Sequence, residues 1–599
     1  MRKLLSLLLS VSVTMGWAQT QEEMQSVTQE EMQSVYDAVQ TPYKFGLVIA
    51  PQDAEHMVDC PTVFRMNEHW YMTYAVFDGK GYETKVSMSE DLLHWKEVGC
   101  ALPYGAGTWD AQQRAGFPAF TEWHWASPKM DLGQFNGRYW MSYFGGDKPG
   151  YETRPLSIGM ANIDVRELSN RLKVGNPALK WQTLPQPILT PSDTTAQWWD
   201  NETLYKSLVY RDTARTLGKE FLLYYNALGK NPETGLSAER IGLALSDDMV
   251  HWERYAGNPV FTNEVKGTIT GDAQIVCFRE RTADQPALYV MFYYRAFDPA
   301  HPDQAYNNFA CSNDLIHWTK WEGTHLIVPS EPYDELYAHK SFVLSWQGVT
   351  YHFYCAVDKD LRRGIAVATS KEFGKSDVHF YHPFRFGNGF TNHAVIQSSR
   401  PFKMWGEAPV GAAVLLSVGK ETYYAVANGY GHWETDVPIQ RPTTHPIKIS
   451  ATTNTGLSTA IEDVVFGDVW LSAGAAADSL PLTRLTYSQA DTEIRYFDAP
   501  QDGNWGEWQL GENQPKKAKR VIGIINANVN DSKLQDWGNL KAKNYKKLLM
   551  PMAPLPVKGI LWYHGRVARN NKEYRKQLER TKRFILKNLD SADAEFRTE

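Results

Sequence analysis

The first part of this chain predicts an all-β propeller, on three observations. A turn reading Ser-x-Asp, two apolar residues and His-Trp occurs three times, at residues 89–95, 246–252 and 312–318. Each copy follows an alternating, strand-like run, and each run follows a strand rich in paired aromatics, such as Tyr224-Tyr225 and Tyr293-Tyr294. Repetition spaced by tens of residues marks a fold assembled from copies of one small unit, and short-strand units of this kind build propellers.

Taken in order, the chain opens with Met1-Arg2-Lys3, a largely apolar run over 4–13 and Gly16-Trp17-Ala18. This reads as a secretory signal peptide over residues 1–18, too short to span a bilayer. The expected location is periplasmic or extracellular, with no membrane partner after cleavage. Residues 19–44 are expected to form an N-terminal tether. They contain an exact duplication, TQEEMQSV at 20–27 and again at 28–35, whose Met and Val spacing allows a short helix.

Residues 45–380 are predicted to form five blades. Their second strands are marked by Tyr71, Tyr139, Phe221, Tyr289 and Tyr351, with alternation and aromatic enrichment typical of strands. Third strands follow over 85–89, 156–161, 241–246, 308–312 and 365–370. The repeated turn closes blades 1, 3 and 4; its Asp is expected to accept the turn's own N–H groups and its Trp to fill the gap to the next blade. A smaller echo, Gly81-Tyr82-Glu83-Thr84 and Gly150-Tyr151-Glu152-Thr153, falls between second and third strands and is read as a turn. From 386 to 463 the pattern is that of a β-sandwich, and from 464 to 599 that of a truncated α/β domain ending in a basic helix.

Composition limits the function. The 599 residues are 43% hydrophobic and 22% charged, ordinary for a globular protein and too many for one core. A net charge of −6 offers no basic footprint, so nucleic acid is not an expected partner. Five cysteines, without a C-x-x-C pair, suggest neither a disulfide framework nor a zinc site. The 21 Trp, 31 Tyr and 25 Phe suit both blade packing and stacking on sugars, so carbohydrate is the expected partner.

Inner strands of a propeller start close together at one end of its axis. The polar candidates there are Asp59, Asp200, Asp272, His339 and Lys340, with Trp125, Trp199 and Glu202 beside them. Three acids from different blades can hydrolyse a glycosidic bond, one activating water, one protonating the leaving oxygen and one tuning its pKa. Asp59, Asp200 and Asp272 are therefore the catalytic candidates; His339, Trp125, Trp199, Glu202 and Lys340 are expected to bind substrate. No cofactor is implied, a structural calcium ion at the axis aside.

The repeated turns and this order of acids resemble the glycoside hydrolase superfamily that includes families 32, 43, 62, 68, 117 and 130. The resemblance implies a base near Asp59, a pKa modulator at Asp200, an acid near Asp272 and a pocket His at His339. The sequence departs from the family pattern in two places: Cys60 separates Asp59 from Pro61, and Asp272 replaces Glu one residue late. A one-residue slip turns a side chain to the opposite face, so Glu202 and His339 stand as alternative acids. Farther on, 393–397, Trp405-Gly406-Glu407-Ala408, 467–471 and 557–563 resemble a sialate O-acetylesterase of the SGNH type. Ala476 stands where that family has its Ser nucleophile, and Gly565-Arg566-Val567-Ala568 where it has the oxyanion-hole Asn. The resemblance thus implies a degenerate esterase without acyl-transfer machinery. The expected function is a secreted, exo-acting glycoside hydrolase; the alternative is a glycan-binding protein without catalysis.

Overall fold

A computed structural model describes residues 27–598, apart from 122–123, 126–128, 174–180, 236, 263–264, 266, 476–486, 488–489, 501–504, 513 and 564–571. The signal-peptide reading and the esterase positions 476 and 565–568 lie outside the described residues. The chain forms two compact units, Met1–Tyr381 and His382–Glu599.

The first unit is strand-dominated and propeller-like. Among the described residues its strands pair as five antiparallel meanders. In chain order they are β1 (Tyr43–Ile49), β2 (Met57–Met66), β3 (His69–Phe77), β4 (Tyr82–Ser89), β5 (Lys96–Leu102), β6 (Gln113–Pro118), β7 (Gln134–Phe135), β8 (Arg138–Gly146), β9 (Ser157–Asp164) and β10 (Gln182–Thr183). There follow β11 (Thr203–Arg211), β12 (Phe221–Lys230), β13 (Ser237–Ser246), β14 (Glu253–Arg254), β15 (Ile269–Arg279), β16 (Leu288–Asp298), β17 (His301–Ser312), β18 (Thr319–Lys320), β19 (Tyr337–Trp346), β20 (Val349–Val357) and β21 (Arg363–Thr369). The meanders are β2–β5, β6–β10 (β7 only flanking β8), β11–β14, β15–β18 and β19–β21. The last is completed by β1, which pairs antiparallel with β21 from Tyr43↔Thr369 to Ile49↔Ile365, so the start of the chain supplies its outer strand.

The repeated turns behave alike. In the copy at 246–252, Asp248 Oδ1 accepts the N–H groups of Val250 (2.9 Å) and His251 (2.8 Å), while Ser246 Oγ accepts those of Asp248 and Met249. The turn's Trp faces the preceding meander and not the next: Trp318 lies edge-on to Tyr224 and Trp95 edge-on to Phe353. Large aromatics fill these seams because two twisted sheets leave a wedge that smaller residues cannot close.

The expected tether differs as well. Its second TQEEMQSV copy forms helix α1 (Gln29–Val39), with Thr28 and Glu31 making a reciprocal capping box. Met32, Val35 and Val39 fall on one face and pack on Val290, Phe292 and Phe309, and Glu31 pairs with Arg279 at 2.6 Å. The apolar spacing set the helix; the fourth meander supplied the surface that holds it.

In the second unit, an 18-residue strand, Ser458–Ala475, runs through both expected domains. Its first half pairs antiparallel with Ile447–Thr453, and its second half pairs parallel with Arg520–Val529 and Gly559–Tyr563. The predicted boundary at residue 463 thus falls inside one continuous strand and one hydrophobic core. All five cysteines are free. No helix among the described residues is long and apolar enough to cross a membrane.

Candidate functional site

The inner strands of four meanders share one irregularity. In β2, Asp59 pairs with Ala75 and Thr62 with Thr73, so three steps oppose two. The same extra residue lies between Leu204 and Ser207 in β11, Gly271 and Gln274 in β15, and His339 and Phe342 in β19. Cys60, Asp272 and Lys340 take positive φ there, at 56°, 60° and 53°. Each bulge bends the strand and re-aims one side chain, and these four kinks surround a cavity of about 190 Å³.

Cys60, Tyr205, Lys206, Asp272, His339 and Lys340 reach the cavity from the bulges. The β12–β13 hairpin adds Asn226 and Glu239; the loop between β8 and β9 adds Tyr151 and Glu152; β21 adds Arg363. Asp59 lies just behind this wall, 2% exposed, with Lys340 Nζ 2.8 Å and Arg363 Nη1 3.2 Å from its Oδ2.

The charges are arranged in opposition. Burial alone would raise the Asp59 carboxyl, but Lys340 and Arg363 outweigh it and hold Asp59 well below the usual carboxylate range. Burial works against a charged Lys340, yet Asp59 first, then Cys60 and Glu152, keep its ammonium above the ordinary value. Burial lowers His339 to about 3, so its imidazole is neutral. Its Nδ1 lies 3.2 Å from the Cys355 carbonyl, which can only accept, so Nδ1 carries the proton. Asp272 is raised by burial against the opposing pull of Lys206.

Glu239 stands apart. Burial first, and the adjacent Glu152 second, push its carboxyl up to about 7, although Asn226 Nδ2 donates to it at 2.7 Å. Glu152, by contrast, pairs with Lys340 Nζ at 3.4 Å. The cavity thus holds two carboxyls in different settings, one raised to about 7 and one facing a cation, the kind of contrast on which acid–base hydrolysis of a glycosidic bond depends.

The sequence-based candidates separate into two groups. Asp272, His339 and Lys340 line the cavity, and Asp59 supports it. Asp200 does not: it precedes β11 in a turn, where its carboxylate accepts Gln197 N–H (2.6 Å), Tyr225 Oη–H (3.1 Å) and Arg254 Nε–H (2.8 Å). Three donors and complete burial make it a turn anchor. Trp199 is 1% exposed and packs on Tyr225 within the seam. Trp125 stacks on Phe278, at 5.6 Å, and donates its backbone N–H to the Cys277 carbonyl, outside the cavity wall. Glu202 is exposed at a strand start, 3.9 Å from Arg154, and does not line the cavity. Among the described residues no group of three His, Cys, Asp or Glu is placed to hold a metal ion.

The sequence pattern does not single out Glu239, Asn226, Lys206 or Arg363, and it reads Tyr151 and Glu152 as turn residues. One signal was present: the Gly-Tyr-Glu-Thr echo placed Glu152 in a second-to-third strand connection, at the same end as the inner-strand starts. The first copy is not a turn: Glu83 lies within β4, where it accepts Tyr104 N–H at 3.1 Å and pairs with Lys85 at 3.8 Å.

No family model and no curated protein matches the chain. Two solved structures, one a complex of BT0996 with RGII and the other a glycoside hydrolase, are each 48% identical over 59% of this chain and 99% of theirs, with a TM-score of 0.55. A carbohydrate acetylesterase from Xanthomonas citri is 21% identical over 36% of this chain and 59% of its own, with a TM-score of 0.31, too slight a likeness to speak for or against esterase chemistry here.

Proposed function

This chain belongs to the glycoside hydrolases, and on that premise we propose that its first unit is a five-bladed propeller that releases single sugars from the end of a glycan. The observation that carries this reading is the Glu239–Glu152 pair in the axial cavity. Glu239, protonated near neutrality, donates to the glycosidic oxygen as the bond breaks. Glu152 supplies the second carboxylate such hydrolysis requires, as nucleophile or as the base that activates water. Lys340, held by Asp59, fixes the position of Glu152. The catalytic roles that the sequence suggests for Asp59, Asp200 and Asp272 thus pass to two glutamates.

Exo action is supported by size. The cavity, about 190 Å³, lies below the roughly 300–1,000 Å³ of drug-sized sites, room for one sugar ring. RGII, the glycan named for one related structure, is the substrate to test first. Wild type, Glu239→Gln and Glu152→Gln are incubated with RGII and with a panel of 4-nitrophenyl glycosides, and released sugar is measured. Wild type is expected to release one sugar species, and each variant to be slower by about 10²–10⁴-fold. Unchanged release by both variants would remove the two glutamates from the mechanism; no release by wild type would leave the glycan-binding alternative.

A further inference from the structure

Three polar atoms in the cavity wall are buried and lack any hydrogen-bond partner: Lys206 Nζ, Asp272 Oδ2 and Asn226 Oδ1. Their residues are 2%, 3% and 3% exposed. Lys206 and Asp272 oppose each other across 3.6 Å, too far for a hydrogen bond and near enough for ionic attraction. Lys206 Nζ sits over the Phe117 ring at 5.5 Å. Asn226 packs its amide against Gly271, the neighbour of Asp272, where a Cβ would meet Asn226 Nδ2 at 2.5 Å. A buried polar atom without a partner calls for one, and at a cavity wall an ordered water or a ligand group can supply it.

We infer that Lys206, Asp272 and Asn226 form a hydroxyl-reading subsite that selects a neutral sugar carrying two adjacent free hydroxyl groups. The wall offers one donor and two acceptors. A hydroxyl set beside the pair, about 2.8 Å from each atom, can accept from Lys206 Nζ and donate to Asp272 Oδ2, and its neighbour donates to Asn226 Oδ1. Charge favours a neutral ring, because the Lys206 cation is already balanced by Asp272 and leaves nothing over for a carboxylated sugar. The subsite also links recognition to chemistry, since Asn226 uses its other end to hold Glu239. This inference rests on the hydrolase reading and adds the substrate feature it selects.

The test uses the full chain and the 4-nitrophenyl glycosides with their monodeoxy counterparts. Removing Lys206 alone would strand a buried anion, so the variant is Lys206→Met with Asp272→Asn, its folding checked by thermal melting. Wild type is expected to lose more than roughly tenfold in kcat/KM when one of two adjacent hydroxyls is deleted, as polar sites do when a partner is missing. The double variant, slower on the parent glycoside, is expected to show no further loss on that deoxy analogue. An equal deoxy penalty in both proteins, or none in wild type, overturns the subsite while leaving hydrolysis intact. If wild type cleaves no glycoside, the hydrolase reading falls, and calorimetry with the free sugars decides the subsite. Binding at least tenfold weaker in the double variant sustains it; equal affinity, or no binding, overturns it.

Discussion

Glu239 shows how one side chain can be tuned at the expense of the fold. Its carboxyl is pushed up to about 7 from an ordinary value of 4.5, so the folded protein holds a proton that the unfolded chain gives up above pH 4.5. Stability is therefore expected to fall as pH rises from about 4.5 to 7 and then level off. The loss is at most about 3 kcal/mol, less to the extent that water reaches the carboxyl. Glu239→Gln keeps the shape without the charge, so its Tm should exceed that of wild type at pH 8 and match it near pH 4, as thermal melts at the two pH values will show. Activity follows the same proton. The acid limb of catalysis is present below about pH 7 and lost above it, and a pH–rate profile of kcat/KM should place that descending limb near 7.

At the level of elements, the Ser-x-Asp turn and the inner-strand bulge do different work. In the turn the Asp matters and the His matters little. Asp248 accepts two backbone N–H groups, whereas its partner His251 is 86% exposed. Asp248→Ala should cost about 1–2 kcal/mol, by analogy with a helix cap, and His251→Ala under about 0.5 kcal/mol; urea unfolding of the two variants gives the comparison. The bulges place the site. A regular strand would turn Asp272 and Lys340 to the face opposite their neighbours Gly271 and His339, yet His339, Lys340 and Asp272 all line one cavity. Asp272 sits at the positive-φ position that Cys60 and Lys340 occupy in their own strands.

Across the whole first unit, Asp59 joins the first meander to the last. It lies on β2 and is held by Lys340 of β19 and Arg363 of β21, so it bridges the seam between those two meanders. Asp59→Ala leaves two largely buried cations without their anion and should cost about 3–5 kcal/mol, read by denaturant unfolding. Because the folded carboxyl is depressed, its contribution is complete above the unfolded value near 4 and is lost as pH falls below it. In the second unit, Ala476 stands where the resemblance requires a nucleophilic Ser. A chromogenic acetyl ester is accordingly expected to be hydrolysed no faster than background; turnover that survives purification would show a nucleophile elsewhere.

Local chemistry was legible in the sequence because it is written in neighbouring residues. The turns, the alternating strands, the α1 spacing and the change of character from about residue 386 all depend on side chains within a few positions of one another. That level also points to Asp272, His339 and Lys340, which line the cavity. What only the tertiary structure decided is which carboxyls face the cavity. Asp200 sits among the inner-strand candidates in sequence, but its turn supplies three donors and removes it from the cavity. Glu239 sits in an ordinary strand, and burial together with the charge of Glu152, from a distant loop, pushes its carboxyl up to about 7. A pKa is a property of what surrounds a group, and here the surroundings come from meanders far apart in the chain.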